Sequence, residues 1–259
     1  MLSVEKGHNL KIFISGVSSG IGRELVKHLL DAGHEVWGIA RRLDKLEELS
    51  SETGGGAFVY DCCDLADTLA CSSLHKKMIA QQYVPDVVIL NAALDLEDAA
   101  PGLDHEQSMH MMRTNVEGTH FWLAAFIEPF LQRGSGQFIA VGSIFSHWPD
   151  PASVSYSASK AALAMLMRGL RLRYSGGPLQ FKLVYLGPVD TQINQRFAEG
   201  SESNSMLVAL ATDAAQFIVG AIERSRDNYY FPFYVRLVFT YLRWLPDRLF
   251  GTLTAPFKR

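Results

Sequence analysis

Short apolar runs alternate along this chain with longer stretches whose apolar residues recur every three or four positions. The runs at 10–15, 35–40, 56–61, 86–91, 136–143, 181–186 and 228–231 predict strands. The stretches at 21–30, 69–80, 116–131, 156–172 and 212–224 have helical spacing. Strand followed by helix in steady succession predicts an α/β fold of one domain, doubly wound, with a parallel, seven-stranded sheet covered on both faces. In such a fold ligands sit at the carboxyl ends of the strands.

Two segments break the rhythm. Residues 187–205, GPVDTQINQRFAEGSESNS, are long for a connection between elements and predict a functional lid. Residues 233–245 are helix-like and nearly all apolar, with Arg236, Thr240 and Arg243 on a narrow stripe and Pro246 to end or kink the helix. The apolar length falls well below the roughly 20 residues of a membrane span. Three readings stay open for it: a helix lying in a membrane interface, a dimer or core contact, or an apolar wall of a substrate pocket. The expected division is a catalytic domain over 1–231, containing a lid at 187–211, and an apolar extension over 232–259.

Composition narrows the function. The chain has 259 residues, 48% of them hydrophobic, enough for a large core, and a formal charge of −3. That charge offers no basic face for nucleic acid. Cys62, Cys63 and Cys71 are odd in number and lack paired metal-ligand spacing, so structural thiols and no metal site are expected. The opening MLSVEKGHNL lacks the apolar core of a signal peptide, which points to a cytoplasmic protein, with membrane association through the C-terminal segment still open.

The first strand runs into SGVSSGIG, with Gly16, Gly20 and Gly22. Glycines here allow a sharp turn and close approach to an anion, while Gly22 lets the helix lie near the strand and the helix N-terminus offers free N–H groups to a phosphate. The spacing differs from the commoner GxGxxG, and no lysine follows as in a P-loop. A glycine-rich turn without a ligand is the plainer alternative. After the second strand Ala40 stands where an acid would bind a ribose 2′-hydroxyl, followed by Arg41 and Arg42. A guanidinium suits a 2′-phosphate, which favours NADP(H). A solvated helix start is the alternative, more for Arg42 than for Arg41.

Further along, Ser143 precedes Tyr156 by thirteen residues and Lys160 follows it by four. On a helix that last spacing puts lysine and tyrosine on one face. A free tyrosine titrates near ~10, and a nearby ammonium favours the phenolate needed for base catalysis. Read singly, these residues are equally a helix-surface tyrosine, a solvated cation and a strand-end cap.

Taken together the motifs resemble the short-chain dehydrogenase/reductase family over nearly the whole chain. They are SGVSSGIG (Ser15, Gly16, Ser18, Ser19, Gly20, Ile21 and Gly22), DLAD from Asp64, LNAA from Leu90, Asn115 in TNVEG, Ser143, YSASK from Tyr156 to Lys160, and GPVDT from Gly187. The resemblance implies a Rossmann fold and an NADP(H)-dependent carbonyl reductase or alcohol dehydrogenase. It implies Tyr156 as acid/base, Lys160 as its partner, Ser143 as the carbonyl-binding hydroxyl and Asn115 as the anchor of a proton-relay water. It implies cofactor contacts at Asp64 and Leu65 (adenine), Asn91 and Ala92 (adenosine ribose), and Val189 and Thr191 (carboxamide), beside Tyr156 and Lys160. Asp61 competes with Asp64 for the adenine role. Dimers or tetramers through the helices at 116–131 and 156–172 are implied as well.

Leu90, Ala93 and Leu186 depart from the family's usual NNAG and PG. Ala93 would matter if its backbone needed positive φ. His147, Trp148, the lid and the C-terminus are the substrate-side candidates, and the apolar tail suggests a lipophilic ketone, aldehyde or secondary alcohol. A non-enzymatic NADP(H)-binding regulator is the competing reading, weakened because a sensor has no need of a proton relay.

Overall fold

The computed structural model describes residues 9–96, 102–191 and 208–241, with positions 246 and 249. Residues 192–207 of the expected lid, the opening segment 1–8 and most of the tail beyond Tyr241 lie outside the described residues.

Seven parallel strands form one sheet: β1 (Lys11–Ser15), β2 (Glu35–Ala40), β3 (Phe58–Cys62), β4 (Val87–Leu90), β5 (Gly136–Ser143), β6 (Leu179–Leu186) and β7 (Asn228–Phe231). Their spatial order is β3-β2-β1-β4-β5-β6-β7. The order reverses between β1 and β4, the switch point at which doubly wound sheets open a crevice. Register aligns the strand ends there, with Ser15 opposite both Ile39 and Leu90, and Ser143 opposite Leu186.

Helices α1 (Gly20–Asp31), α2 (Leu43–Glu52) and α7 (Ala211–Glu223) cover one face; α3 (Thr68–Ala80), α5 (Gly118–Arg133) and α6 (Val154–Arg173) cover the other. Strand alternation divides the core between them. In β1, Ile12 and Ile14 point to the first face and Phe13 to the second, so all three are fully buried and the period of two is hidden in the sequence. The second face is aromatic: Trp122 stacks on Phe126 at 5.8 Å between ring centroids, and Phe138 on Phe181 at 5.2 Å. Burying each such ring contributes about 1.5–3 kcal/mol.

Three elements differ from the pattern-based expectation. Helix α2 follows the two arginines, burying Leu46 and Leu49, where the apolar spacing predicts no helix. The predicted helix at 116–131 is the second half of a longer run that begins with α4 (His105–Met112). A wide π turn at Arg113–Glu117 separates the halves and turns Thr114 and Asn115 inward. Finally α8 (Phe233–Tyr241) covers part of the predicted 233–245, the remainder falling outside the described residues.

Lys182, inside β6, is buried yet satisfied. Its ammonium donates to the carbonyls of Ala221 (2.9 Å), Ile222 (3.0 Å) and Arg224 (2.6 Å), closing the C-terminal end of α7. Burial pushes its pKa down to about 8.

Candidate active site

A cavity of about 390 Å³ opens at the carboxyl ends of the strands. Every residue expected to contact the cofactor lines it: Gly16, Ser18, Ser19, Gly20, Ile21, Gly22, Arg41, Arg42, Asp64, Leu65, Asn91, Ala92, Val189 and Thr191, with Ser143, Tyr156 and Lys160 at its other end. Asn115 stands behind the wall and does not line the cavity.

The floor is the β1–α1 turn. Gly16 has φ +80°, and a Cβ on Gly22 would stand 1.9 Å from the Gly16 carbonyl oxygen, so only glycine permits helix and strand to approach this closely. Ser19 precedes α1 without capping it through its side chain, and the first turn carries no acid. The free N–H groups of that turn therefore face the cavity, an environment that favours an anion. Asn91 braces the turn by donating to the carbonyls of Ser15 (3.2 Å) and Gly16 (3.0 Å), so its side chain shapes the cradle rather than projecting into it.

Both arginines are exposed, and they differ in what they touch. Arg42 is exposed at the start of α2, as the solvated helix-start reading has it, and its guanidinium also reaches back to donate to Ser18 Oγ at 3.0 Å and Ser19 Oγ at 2.8 Å in the glycine turn. Arg41 is exposed at the rim. The two candidate aspartates also separate. Asp61 accepts from the Trp37 indole at 3.1 Å and pairs with Lys77 at 2.6 Å, away from the cavity, whereas Asp64 lines it. Beside Asp64, Cys63 also lines the cavity, its thiol 3.7 Å from that of buried Cys71; Cys62 is exposed, and all three are free thiols. Among the described residues no three His, Cys, Asp or Glu side chains gather as metal ligands.

Helix α6 brings tyrosine and lysine together. Lys160 Nζ lies 5.6 Å from the Tyr156 ring centroid and donates to the Val141 carbonyl of β5 at 2.9 Å. Burial drives its pKa down to about 8, against an opposing pull from the Asp95 carboxylate. Ser143 ends β5, and its Oγ accepts from Phe145 N–H at 3.2 Å, so it is a strand-end cap that still has its own proton to donate. Phe145 packs edge-on to Tyr156 at 6.4 Å.

Asn115 is a structural clasp. Its Oδ1 accepts from Leu94 N–H at 2.7 Å, and its Nδ2 donates to the Leu94 carbonyl at 2.8 Å and to Ser159 Oγ at 3.0 Å. Both amide hydrogens are thereby committed, so a water held by this residue must donate to it rather than accept from it.

The departures from the family pattern are absorbed. Leu90 joins the aromatic core, and Leu186 pairs with Phe231 of β7. Among the described residues Gln82 is the non-glycine position with positive φ, so Ala93 carries no such strain. His147 is exposed and Trp148 buried; the cavity wall after Ser143 is formed instead by Ile144 and Phe145. Sequence reasoning missed Asp95 and Phe145. Asp95 was within reach, as an acid a few residues beyond the predicted fourth strand.

With fold and cavity in hand, the comparisons with known proteins converge. The sequence matches the family described as short chain dehydrogenase over residues 11–202. The chain belongs to the short-chain dehydrogenases, an oxidoreductase family. It is 27% identical over 248 residues to a hydroxysteroid 11-beta-dehydrogenase 1-like protein of Xenopus tropicalis, covering 92% of this chain and 84% of that one. It is 25% identical over 261 residues to dehydrogenase/reductase SDR family member 7B of Mus musculus, covering 95% and 80%. Its fold matches a short chain dehydrogenase from Burkholderia cenocepacia J2315 solved in complex with NADP, with TM-score 0.79, 22% identity, and coverage of 97% of this chain and 98% of that one.

Proposed function

We propose that this protein is an NADP(H)-dependent carbonyl reductase or alcohol dehydrogenase acting on a lipophilic ketone, aldehyde or secondary alcohol. The observation that carries the reading is the convergence of Ser143, Tyr156 and Lys160 at one end of a cavity whose other end is an uncapped helix N-terminus beneath Arg42. That donor set fits NADP(H). The α1 N-terminus and the Gly16–Gly22 turn would hold the pyrophosphate, Arg42 with Ser18 and Arg41 the 2′-phosphate, Asp64 and Leu65 the adenine, Asn91 and Ala92 the ribose region, and Val189 and Thr191 the carboxamide. When bound, NADP(H) supplies or accepts the hydride.

The protein's own residues handle the oxygen. Ser143 Oγ donates a hydrogen bond to the substrate oxygen and stabilises its developing negative charge. Tyr156 delivers the proton to that oxygen in reduction and removes it in oxidation. Lys160, held by the Val141 carbonyl, offsets the charge left on Tyr156. Asn115 fixes the Leu94 segment against Ser159, and so fixes the helix that carries both groups.

The lipophilic preference rests on α8. Its Val235 is buried next to Gly187 at the cavity's edge, with the Tyr234 hydroxyl on the same side. Phe233, Leu237 and Tyr241 form an exposed apolar stripe at i, i+4 and i+8. One helix thus contributes both to the surroundings of the site and to an apolar surface suited to a membrane interface. No helix among the described residues is long and apolar enough to cross a membrane. Exposed Leu131 on α5 with Met165 and Leu172 on α6 supports self-association through those helices as a dimer or tetramer. The catalytic unit over 1–231, with its lid at 187–211, is proposed as one domain bearing the extension 232–259.

The test is isotopic. NADPH carrying deuterium at the transferable position should yield an alcohol with deuterium on the carbinol carbon. An alcohol formed without it would reject direct hydride transfer.

A further inference from the structure

An acid stands beside the proton-transfer pair. Asp95 follows β4 in the segment that Asn115 clasps, and it lines the same cavity as Tyr156 and Lys160. Its Oδ1 accepts from Ser153 Oγ at 2.6 Å, and the same hydroxyl lies 3.0 Å from the Leu96 carbonyl. Ser153 is fully buried and immediately precedes α6. A hydroxyl–carboxylate contact this short is charge-assisted, about twice as strong as a neutral hydrogen bond.

Two joints therefore fasten the Leu94–Leu96 stretch to the catalytic helix. Asp95 meets Ser153, three residues before Tyr156; Asn115 bridges Leu94 to Ser159, three residues after it. Ser159 in turn donates to the Tyr156 main-chain carbonyl at 2.7 Å. Tyr156 sits midway between the joints, so the position of its hydroxyl depends on both.

Charge adds a second role. From β5, Lys160 meets a neutral carbonyl, that of Val141; from its own helix it faces the Tyr156 ring. Lining the same cavity, the charge that favours its ammonium, among the described residues, is the Asp95 carboxylate.

Resting on the catalytic reading above, we infer that Asp95 is a positioning residue for the proton-transfer pair: through Ser153 it sets the start of α6, and its negative charge keeps buried Lys160 an ammonium while Tyr156 exchanges its proton. The protein thus requires an acid outside the Asn115, Ser143, Tyr156 and Lys160 set. Removing the anion lowers the pKa of both members of the pair, since an ammonium loses its counter-charge and a phenolate loses a repelling neighbour.

The test is Asp95→Asn, which keeps the shape and an acceptor for Ser153 but deletes the charge. The alkaline limb of kcat/KM for carbonyl reduction should move down, on the order of one pH unit. Independently of turnover, the ε-carbon NMR signal of Lys160, identified as the one missing from Lys160→Met, should titrate at lower pH. Asp95→Glu, which restores a carboxylate, should return both toward wild type. An Asp95→Asn protein in which limb and signal titrate as in wild type overturns the inference. If Tyr156→Phe still abolishes turnover, the catalytic reading survives that result; turnover indifferent to Tyr156→Phe overturns the catalytic reading itself.

Discussion

Lys160 reaches from α6 to the Val141 carbonyl of β5 at 2.9 Å, two residues before the strand delivers Ser143 to the cavity. One hydrogen bond thereby ties the helix bearing Tyr156 to the strand bearing the serine, and sets tyrosine, lysine and serine in a common frame.

The buried ammonium gives the reaction a pH dependence. Lys160 is charged below about 8 and neutral above it, so kcat/KM for reduction should fall as pH rises through about 8. Lys160→Met should lower kcat about 10²–10⁴-fold. Stability carries the same signature. The folded lysine releases its proton at about 8 and the unfolded one near 10.5, so between those values the unfolded chain binds more protons and folding becomes more favourable with rising pH. Urea titrations should show the difference between wild type and Lys160→Met moving in favour of wild type across that window.

In the proposed binding mode Arg42 meets the 2′-phosphate and so discriminates between the two nicotinamide dinucleotides. Arg42→Ala should weaken NADPH binding about 10- to 100-fold, the loss of one charge-assisted contact, and leave NADH binding nearly unchanged. Calorimetric titration with each dinucleotide measures both. Equal losses would assign Arg42 to shaping the glycine turn through Ser18 and Ser19 instead.

Gly22→Ala places a methyl against the Gly16 carbonyl. Helix and strand must separate, at a cost of about 1–3 kcal/mol and with loss of the anion cradle. The urea midpoint should drop and dinucleotide binding should vanish together.

Asn115→Ala removes three hydrogen bonds that join the Leu94 segment to α6. The Leu94 N–H and carbonyl lose their Asn115 partner, and the Ser159 hydroxyl loses a donor while keeping its own bond to the Tyr156 carbonyl, so kcat should fall more than dinucleotide affinity does. Steady-state kinetics beside NADPH titration separates the two effects.

Much of this architecture is legible in the residues, for physical reasons that differ by element. The five inner strands announce themselves because each is buried on both faces and reads as a compact apolar run, while the edge strands β3 and β7, only partly buried, are marked by short aromatic runs. The glycine turn and the Tyr156–Lys160 spacing are legible because backbone sterics and helix geometry act over a few neighbouring residues. Helix α4 was missed because eight residues with a single buried side chain, Met111, leave no period to detect. The π turn at Asn115 was hidden because one wider turn does not alter composition. The reach of Arg42 back to Ser18 and Ser19 was hidden because its direction is set by an extended backbone at the start of α2, φ −96° and ψ 100°. Asp95 was overlooked because its neighbours Ser153 and Lys160 lie about sixty residues away in the chain and meet it only after the sheet has assembled.

The most direct test of the account is consumption of NADPH, beside NADH, over a panel of polar and lipophilic carbonyl compounds, with Tyr156→Phe as the comparison protein. The account predicts turnover with NADPH, strongest among the lipophilic members, falling about 10²–10⁴-fold in Tyr156→Phe while NADPH still binds. NADPH binding with no turnover of any compound, or turnover untouched by the substitution, would contradict it.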